Sequence, residues 1–355
     1  MKGKHEMNTQ RKMTKAECLA NPELYPWAGD MAENDCVSTE SSWTPGTYLD
    51  RFSNEIYPSG KESFGDIRYY VFDPTAHGFP KNGSYPLLFA LHGSGSSFVG
   101  KTAISWAGAE RLASPEWQEA VGGMYIIVPL ANESRDSEGD TQHTWMTPVS
   151  GKPYDGYTAE EIERIPHHEH WGSLCGNDSV YTKTLMALLR SECEKHPAIG
   201  RKIVSGASAG GYGAWRMIIS HPDAFDAALF MAGAYIPSLR ELKILENAGM
   251  RLWICHGRRD ECVPFDMVIR PILPILQGMP GTELYLPDFV RRANGCVASN
   301  LSGIQMGQHC INDEMQENLM FLDGTPMDPL HPEGFIGWLK KVTGYERWQS
   351  QDQHA

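Results

Sequence analysis

The sequence predicts an α/β fold, a mostly parallel sheet with helices on both faces. Three observations predict it. Apolar runs of strand length alternate with helical stretches from about Tyr48 onward. Several of these runs are continuously apolar, as strands covered on both faces must be. The chain has 355 residues, enough to bury an ample core in one large domain or two small ones.

Seven strands are expected, at Ile67–Phe72, Leu87–Leu91, Met124–Pro129, Lys202–Ser205, Ala227–Met231, Arg251–Cys255 and Glu283–Leu286. Helices are expected between them, among them Ser179–Glu194, Gly211–Ser220 and Pro332–Val342. Strands alternating with helices imply a parallel sheet. Residues 1–45 are polar, with Pro and Gly between Asn21 and Gly46, and read as an N-terminal extension. Residues 46–350 form the expected catalytic domain. Within it, 135–177 is too long and too polar for an ordinary connection, and reads as a lid-like insertion.

Charge and composition exclude several classes. The formal net charge is -13, and Lys and Arg form only short pairs such as Arg291-Arg292 and Lys340-Lys341, which argues against nucleic acid. Apolar runs such as Tyr125 to Leu130 fall far short of the ~20 residues of a spanning helix, so no membrane partner is expected. Residues 1–15 are polar and basic with no apolar stretch behind them, so a cytoplasmic protein is expected, unless processing has removed a secretory signal. None of the eight cysteines forms a CxxC pair, and reduced thiols are the default expectation. His167-His168-Glu169-His170 lacks the H-E-x-x-H spacing, so no metal is expected there.

The most informative stretch is Lys202-Ile203-Val204-Ser205-Gly206-Ala207-Ser208-Ala209-Gly210-Gly211. It reads as G-x-S-x-G between a strand and a helix. A serine pushed above a sheet on a sharp turn needs neighbours without side chains two residues before and after it. Ser208 is the expected nucleophile. The tetrahedral intermediate needs preorganised donors for its oxygen. One is expected from the Ala209 N–H, at the start of the helix. The other is expected from Ser94, in the loop after Leu87–Leu91, where His92-Gly93 precedes it. A nucleotide loop is excluded there, because no Lys follows at P-loop spacing and Phe98 stands where a third Gly belongs.

In strand-turn-helix sites of this kind the acid and then the histidine follow the serine. Asp260, in the loop after Arg251–Cys255, is the expected acid, ahead of Asp226, Glu261 and Asp266. His309, in a Gly-containing loop, is the expected base, ahead of His331, which reads as a helix-entry residue. His256 is expected to support the acid's loop. Trp145 is the best candidate for a pocket wall, with His143 beside it, because both lie early in the 135–177 segment, which also carries Tyr154, Tyr157 and Trp171.

His92-Gly93-Ser94, Gly206 to Gly211, His256-Gly257-Arg258-Arg259-Asp260 through Val263-Pro264, and Gly307-Gln308-His309 together resemble the feruloyl esterase and polyhydroxybutyrate depolymerase branch of the α/β-hydrolases, which adjoins the esterase D-like enzymes. The resemblance covers about Ile67 to the C-terminus. It implies an α/β-hydrolase fold with an eight-stranded sheet, a Ser-Asp-His triad and hydrolysis of a small-molecule ester without a cofactor. The polar stretch around Arg291–Gly303 departs from that pattern. Some related esterases join their triad loops by a disulfide. Here Cys262 and Cys310 flank acid and base, but no cysteine precedes Ser208, so that pairing carries over only in part. A peptidase or acyltransferase with the same triad, and a non-catalytic binding protein on the same fold, are the competing readings.

Overall fold

The computed structural model describes residues 12–149, 178–299 and 306–345. Its centre is an eight-stranded sheet. The strands are β1 (Ser53–Tyr57), β2 (Ile67–Phe72), β3 (Tyr85–Leu91), β4 (Tyr125–Pro129), β5 (Ile199–Ala207), β6 (Ala227–Met231), β7 (Arg251–Cys255) and β8 (Thr282–Tyr285). Their spatial order is β8-β7-β6-β5-β3-β4-β2-β1. β3 to β8 are parallel, while β2 runs antiparallel to β4 and to β1. The order turns around between β5 and β3, so their carboxyl ends open a crevice at the edge where ligands bind in such sheets.

Alternation along the strands builds two cores. In β3, Leu87, Phe89 and Leu91 enter one cluster, and Leu88 and Ala90 enter the other. The first face is covered by α2 (Thr182–Lys195), α3 (Ala209–Ser220) and α4 (Leu239–Asn247). The second is covered by α1 (Pro115–Val121) and α5 (Gly334–Thr343), through Trp117, Phe335, Trp338 and Leu339. Helix ends follow local chemistry. α1 is capped by Ser114, starts on Pro115 and stops at left-handed Gly122. α4 starts with a capping box of Ser238 and Glu241.

The sequence expectation omits β1. Its five residues are exposed or half-buried at the sheet's edge, so they carry no apolar run to detect.

The N-terminal extension packs on the domain over its described part. Lys12–Thr14, Cys36–Ser38 and Val297–Ala298 form a small sheet of their own. Beneath it Met13, Tyr25, Trp27, Met31, Val37 and Val297 make a separate apolar cluster. Arg291 forks onto Asp35 at 3.0 and 3.1 Å, and Arg259 meets Asp30 at 2.8 Å. The polar stretch after β8 therefore serves, in its described part, as the landing place for the extension.

One expectation is corrected here. The cysteines are not all reduced, because Cys36 and Cys296 are disulfide-bonded, with Cα atoms 4.9 Å apart. The small sheet produces that proximity, since Val37 pairs with Val297. Cys262 and Cys310 are both free thiols. Among the described residues no helix is long and apolar enough to cross a membrane. Tyr154, Tyr157, Trp171, Cys175 and His167 to His170 lie outside the described residues.

The bond closes a span of 260 residues. Replacing both Cys36 and Cys296 with Ser should therefore destabilise the protein by about 2–5 kcal/mol. A denaturation midpoint unchanged from that of the wild type would show that the extension is held without the bond.

Candidate active site

Ser208 stands at the junction of β5 and α3 with φ 53° and ψ -120°. A non-glycine residue there costs about 1–3 kcal/mol and persists only where its surroundings fix it. Those surroundings are backbone. The Ser208 N–H donates to Met231 O at 3.0 Å, and its carbonyl accepts the N–H groups of Gly211 and Ala234. A Cβ on Gly206 would lie 2.1 Å from Gly210 O. One on Gly210 would lie 2.1 Å from Leu91 O. No side chain fits at either position.

The loop after β3 lies against this turn. A Cβ on Gly93 would be 3.4 Å from Ser208 Cβ. His92 is fully buried and tied on every side. Its Nε2 accepts the Ala131 N–H at 3.1 Å, and its Nδ1 faces Gly93 O at 2.7 Å. These partners require the neutral tautomer with the proton on Nδ1, and burial pushes the imidazole pKa down. The Gly93 carbonyl also accepts the Ser96 N–H at 3.3 Å. A peptide unit is planar and trans, so holding the Gly93 C=O fixes the direction of the Ser94 N–H. Ala209 is the first residue of α3, where backbone N–H groups lack helical acceptors.

Asp260 and His309, the expected acid and base, are hydrogen-bonded to each other. His309 Nδ1 lies 2.9 and 2.8 Å from the two oxygens of Asp260. Asp260 Oδ1 also accepts the N–H groups of Cys262 and Val263, each at 2.8 Å. Burial raises the Asp260 pKa, but the His309 imidazole, then His256 and the Val263 N–H, outweigh it, and the net shift is downward. For His309, burial works downward, but Asp260 and then Glu261 reverse it, and the net shift is upward. Their loops touch, since a Cβ on Gly257 would lie 2.7 Å from Gln308 O. His256 is buried, bonds Val263 O through Nε2 at 2.7 Å and so shapes the acid's loop.

His331 stands elsewhere, beside Trp253 and bonded to Asp328 at 3.0 Å. Asp266 is paired with Arg270 on the surface, and Asp226 accepts the Lys202 N–H at the start of the sheet. Neither reaches the histidine.

Trp145 corrects an expectation. It has no exposed surface to offer a ligand. Its ring packs edge-on against Tyr181, and its indole N–H donates to His92 O at 3.0 Å. It supports the loop carrying Ser94 from beneath. His143 is half-buried, stacks on Phe64 at 3.8 Å and has a positive φ of 58°. Its carbonyl accepts the Tyr181 hydroxyl at 2.7 Å. Thr141, early in the 135–177 segment, lies beside the loop after β3, where its Oγ1 would be 3.9 Å from a Cβ on Gly95.

Sequence reasoning missed two carboxylates with structural work to do. Glu261, weighed only as a rival acid, accepts the Gln308 N–H at 3.0 Å and the Trp27 indole N–H at 3.1 Å. It joins the acid's loop, the base's loop and the N-terminal extension. Burial pushes its pKa up to about 7. Glu133 binds the loop after β3. No local pattern announces either, since each depends on contacts across the fold.

Among the described residues, three donor atoms come within metal-binding range only at Asp260, Cys262 and His309, within 4.8 Å of one another. Asp260 and His309 already hold each other. Burial, then the carboxylates of Asp260 and Glu261, pushes the Cys262 thiol up to about 12. The direct Asp260–His309 contact suits acid–base chemistry.

Comparison with known proteins gives one family. The family model "Putative esterase" matches residues 63–262. No curated protein matches by sequence. Among solved structures, a thermostable esterase superposes with a TM-score of 0.54 at 17% identity, over 77% of this chain and 61% of that one. The chain thus spans less than two thirds of that relative's length. A ferulic acid esterase from Anaeromyces mucronatus, solved with ferulic acid, gives 0.40 at 17% identity, over 66% and 81%. The 0.54 likeness shows the α/β-hydrolase fold.

Two outcomes follow from this geometry. Activity that needs neutral His309 should fall as pH drops through its raised pKa. Glu261→Gln removes a carboxylate that raises this pKa while it is ionised, so the acidic limb of kcat/KM should move to lower pH; a limb that moves up would contradict the assignment. Trp145→Phe orphans His92 O and should cost about 1–3 kcal/mol of stability. Large and small esters should lose turnover equally, whereas a loss confined to large esters would restore Trp145 to the pocket wall.

Proposed function

The chain belongs to the esterase family, a family of carboxylic-ester hydrolases, and on that premise we propose that it cleaves its ester through an acyl-enzyme on Ser208. The observation that carries this reading is the Asp260–His309 pair in the fold that sets Ser208 on its strained turn. Ser208 Oγ attacks the ester carbonyl as His309 Nε2 takes its proton. Asp260 holds the Nδ1–H tautomer and stabilises the imidazolium. The Ser94 and Ala209 N–H groups receive the oxyanion. His309 then protonates the departing alcohol, and water activated by the same imidazole releases the acid.

The substrate we propose is an ester with an aromatic acyl or alcohol group, of the feruloyl type. Phe98 and Val99 support it. They are exposed apolar side chains four and five residues beyond Ser94, in the loop after β3 that also carries Ser94, with Arg135 over the Phe98 ring at 4.8 Å. The Cys36–Cys296 bond supports an oxidising compartment over the cytoplasm.

The test is turnover of a panel of acetate, butyrate and ferulate esters, with an amide of the same acid beside them. Ester turnover should exceed amide turnover, ferulate should lead in kcat/KM, and Ser208→Ala should lower kcat by several orders of magnitude, about 10⁴–10⁶-fold. Full activity in Ser208→Ala would refute the mechanism. An acetate preference would refute the substrate class alone.

A further inference from the structure

We propose that Glu133 is a positioning residue for the oxyanion hole, a step that rests on Ser94 and Ala209 being the oxyanion donors. Glu133 lies in the loop after β4, half-buried, and touches no reacting atom. Its two oxygens close over the loop after β3. Oε1 accepts the Gly95 N–H at 2.9 Å. Oε2 accepts the Ser97 N–H at 3.1 Å and the Ser97 hydroxyl at 2.7 Å.

The pattern of satisfied amides gives this clamp its meaning. The Ser96 N–H, between the two held by Glu133, donates to Gly93 O. The three amides that follow Ser94 therefore all have acceptors inside the protein. The Gly93 carbonyl, in turn, is held by the Ser96 N–H and the His92 ring. Through the planar Gly93–Ser94 peptide, these bonds direct the Ser94 N–H away from that carbonyl. The same peptide lies beside the nucleophile, since Gly93 approaches Ser208 Cβ.

The loop does not hold this shape unaided. Gly95 sits in the left-handed region at φ 79°, and Gly100 at φ 58°. Glycine visits several conformations at similar energy, so the turn gains its definition from what binds it. A bidentate carboxylate meeting two amides and a hydroxyl is a strong, directional restraint. Without it three donors lose their acceptor, and the peptide carrying the Ser94 N–H is tied only through the Gly93 carbonyl. A donor displaced by a fraction of an ångström still permits binding of the ester. It no longer meets the oxygen where charge develops, so the loss falls on the transition state.

The full-length protein is tested as wild type, Glu133→Gln, Glu133→Asp and Ser208→Ala. The measurements are kcat and KM for an aryl acetate, inhibition by an aryl trifluoromethyl ketone, active-site titration and thermal melting. The hemiketal oxygen of that inhibitor occupies the oxyanion site, whereas the ground-state ester tests binding alone. Glu133→Gln should lower kcat per titrated site by about tenfold to a hundredfold, part of the loss seen when a donor is removed outright. Inhibitor affinity should fall by the same factor, with KM within about twofold, as expected when only transition-state binding is lost. Glu133→Asp, too short to reach both amides, should fall in the same direction and carries the test if the Gln variant does not fold. Unchanged kcat and inhibitor affinity in a folded Glu133 variant would overturn the proposal and leave Ser208 untouched. So would a loss that disappears once rates are expressed per titrated site. Full turnover by Ser208→Ala, or no inhibition of the wild type, would overturn the underlying mechanism instead.

Discussion

The structure depends on one close approach of backbone to backbone. Where β5 passes into α3, Gly206 and Gly210 lie so near each other that a Cβ on Gly206 would sit 2.1 Å from a carbonyl oxygen. Gly211 stands as close to the Gly233 backbone, 2.4 Å from its would-be Cβ. This contact lets α3 rise directly from the sheet and forces Ser208 into a conformation that serine avoids. The strain is held by three backbone hydrogen bonds, to Met231 at the end of β6, to Ala234 just beyond it and to Gly211 in the first turn of α3. A side chain at either glycine would push the helix off the strand and move the hydroxyl away from the crevice.

The other parts of the site come to this turn because parallel strands deliver their loops to one edge. β3 brings His92 and Gly93 beside Ser208, while the loop after β7 and the chain beyond β8 bring Asp260 and His309 to each other. Each loop is then tied by buried polar groups. Gln308 shows the logic: its side-chain amide accepts from Val290 N–H and donates to Val290 and Ala298 carbonyls, all inside the protein. Glu261 extends the network to Trp27, so the N-terminal extension takes part in holding the base's loop. The disulfide at Cys296 fastens that extension to the same region.

Much of this was legible in the sequence, for identifiable reasons. The seven strands expected from apolar runs are all in the sheet, and the clearest of them, the central parallel strands β3, β4 and β6, are apolar because both their faces are buried. The glycines around Ser208, the Gly-containing loops and the order of acid and histidine mark Ser208, Asp260 and His309 as a set, since local chain geometry demands those residue types. What escaped depends on distance in the chain. β1 is exposed and has no apolar signature. Cys36 and Cys296 are 260 residues apart, and nothing near either announces the other. An aromatic residue early in a polar segment suggests a ligand surface, which is why the sequence points to Trp145 as a pocket wall. Its indole N–H instead finds a carbonyl within the core, a role that burial alone reveals. Glu133 and Glu261 bind backbone groups in loops distant in the chain, which no local pattern shows.

The most direct measurement of the central claim is the site of covalent modification. The wild-type protein is treated with a fluorophosphonate at neutral pH, digested and mapped by mass spectrometry. A nucleophile raised on this turn and served by Asp260 and His309 should carry a single adduct on Ser208, formed more slowly as pH falls through the raised pKa of His309. An adduct on another residue, or an unmodified Ser208 in protein whose ester turnover the reagent has abolished, would contradict it.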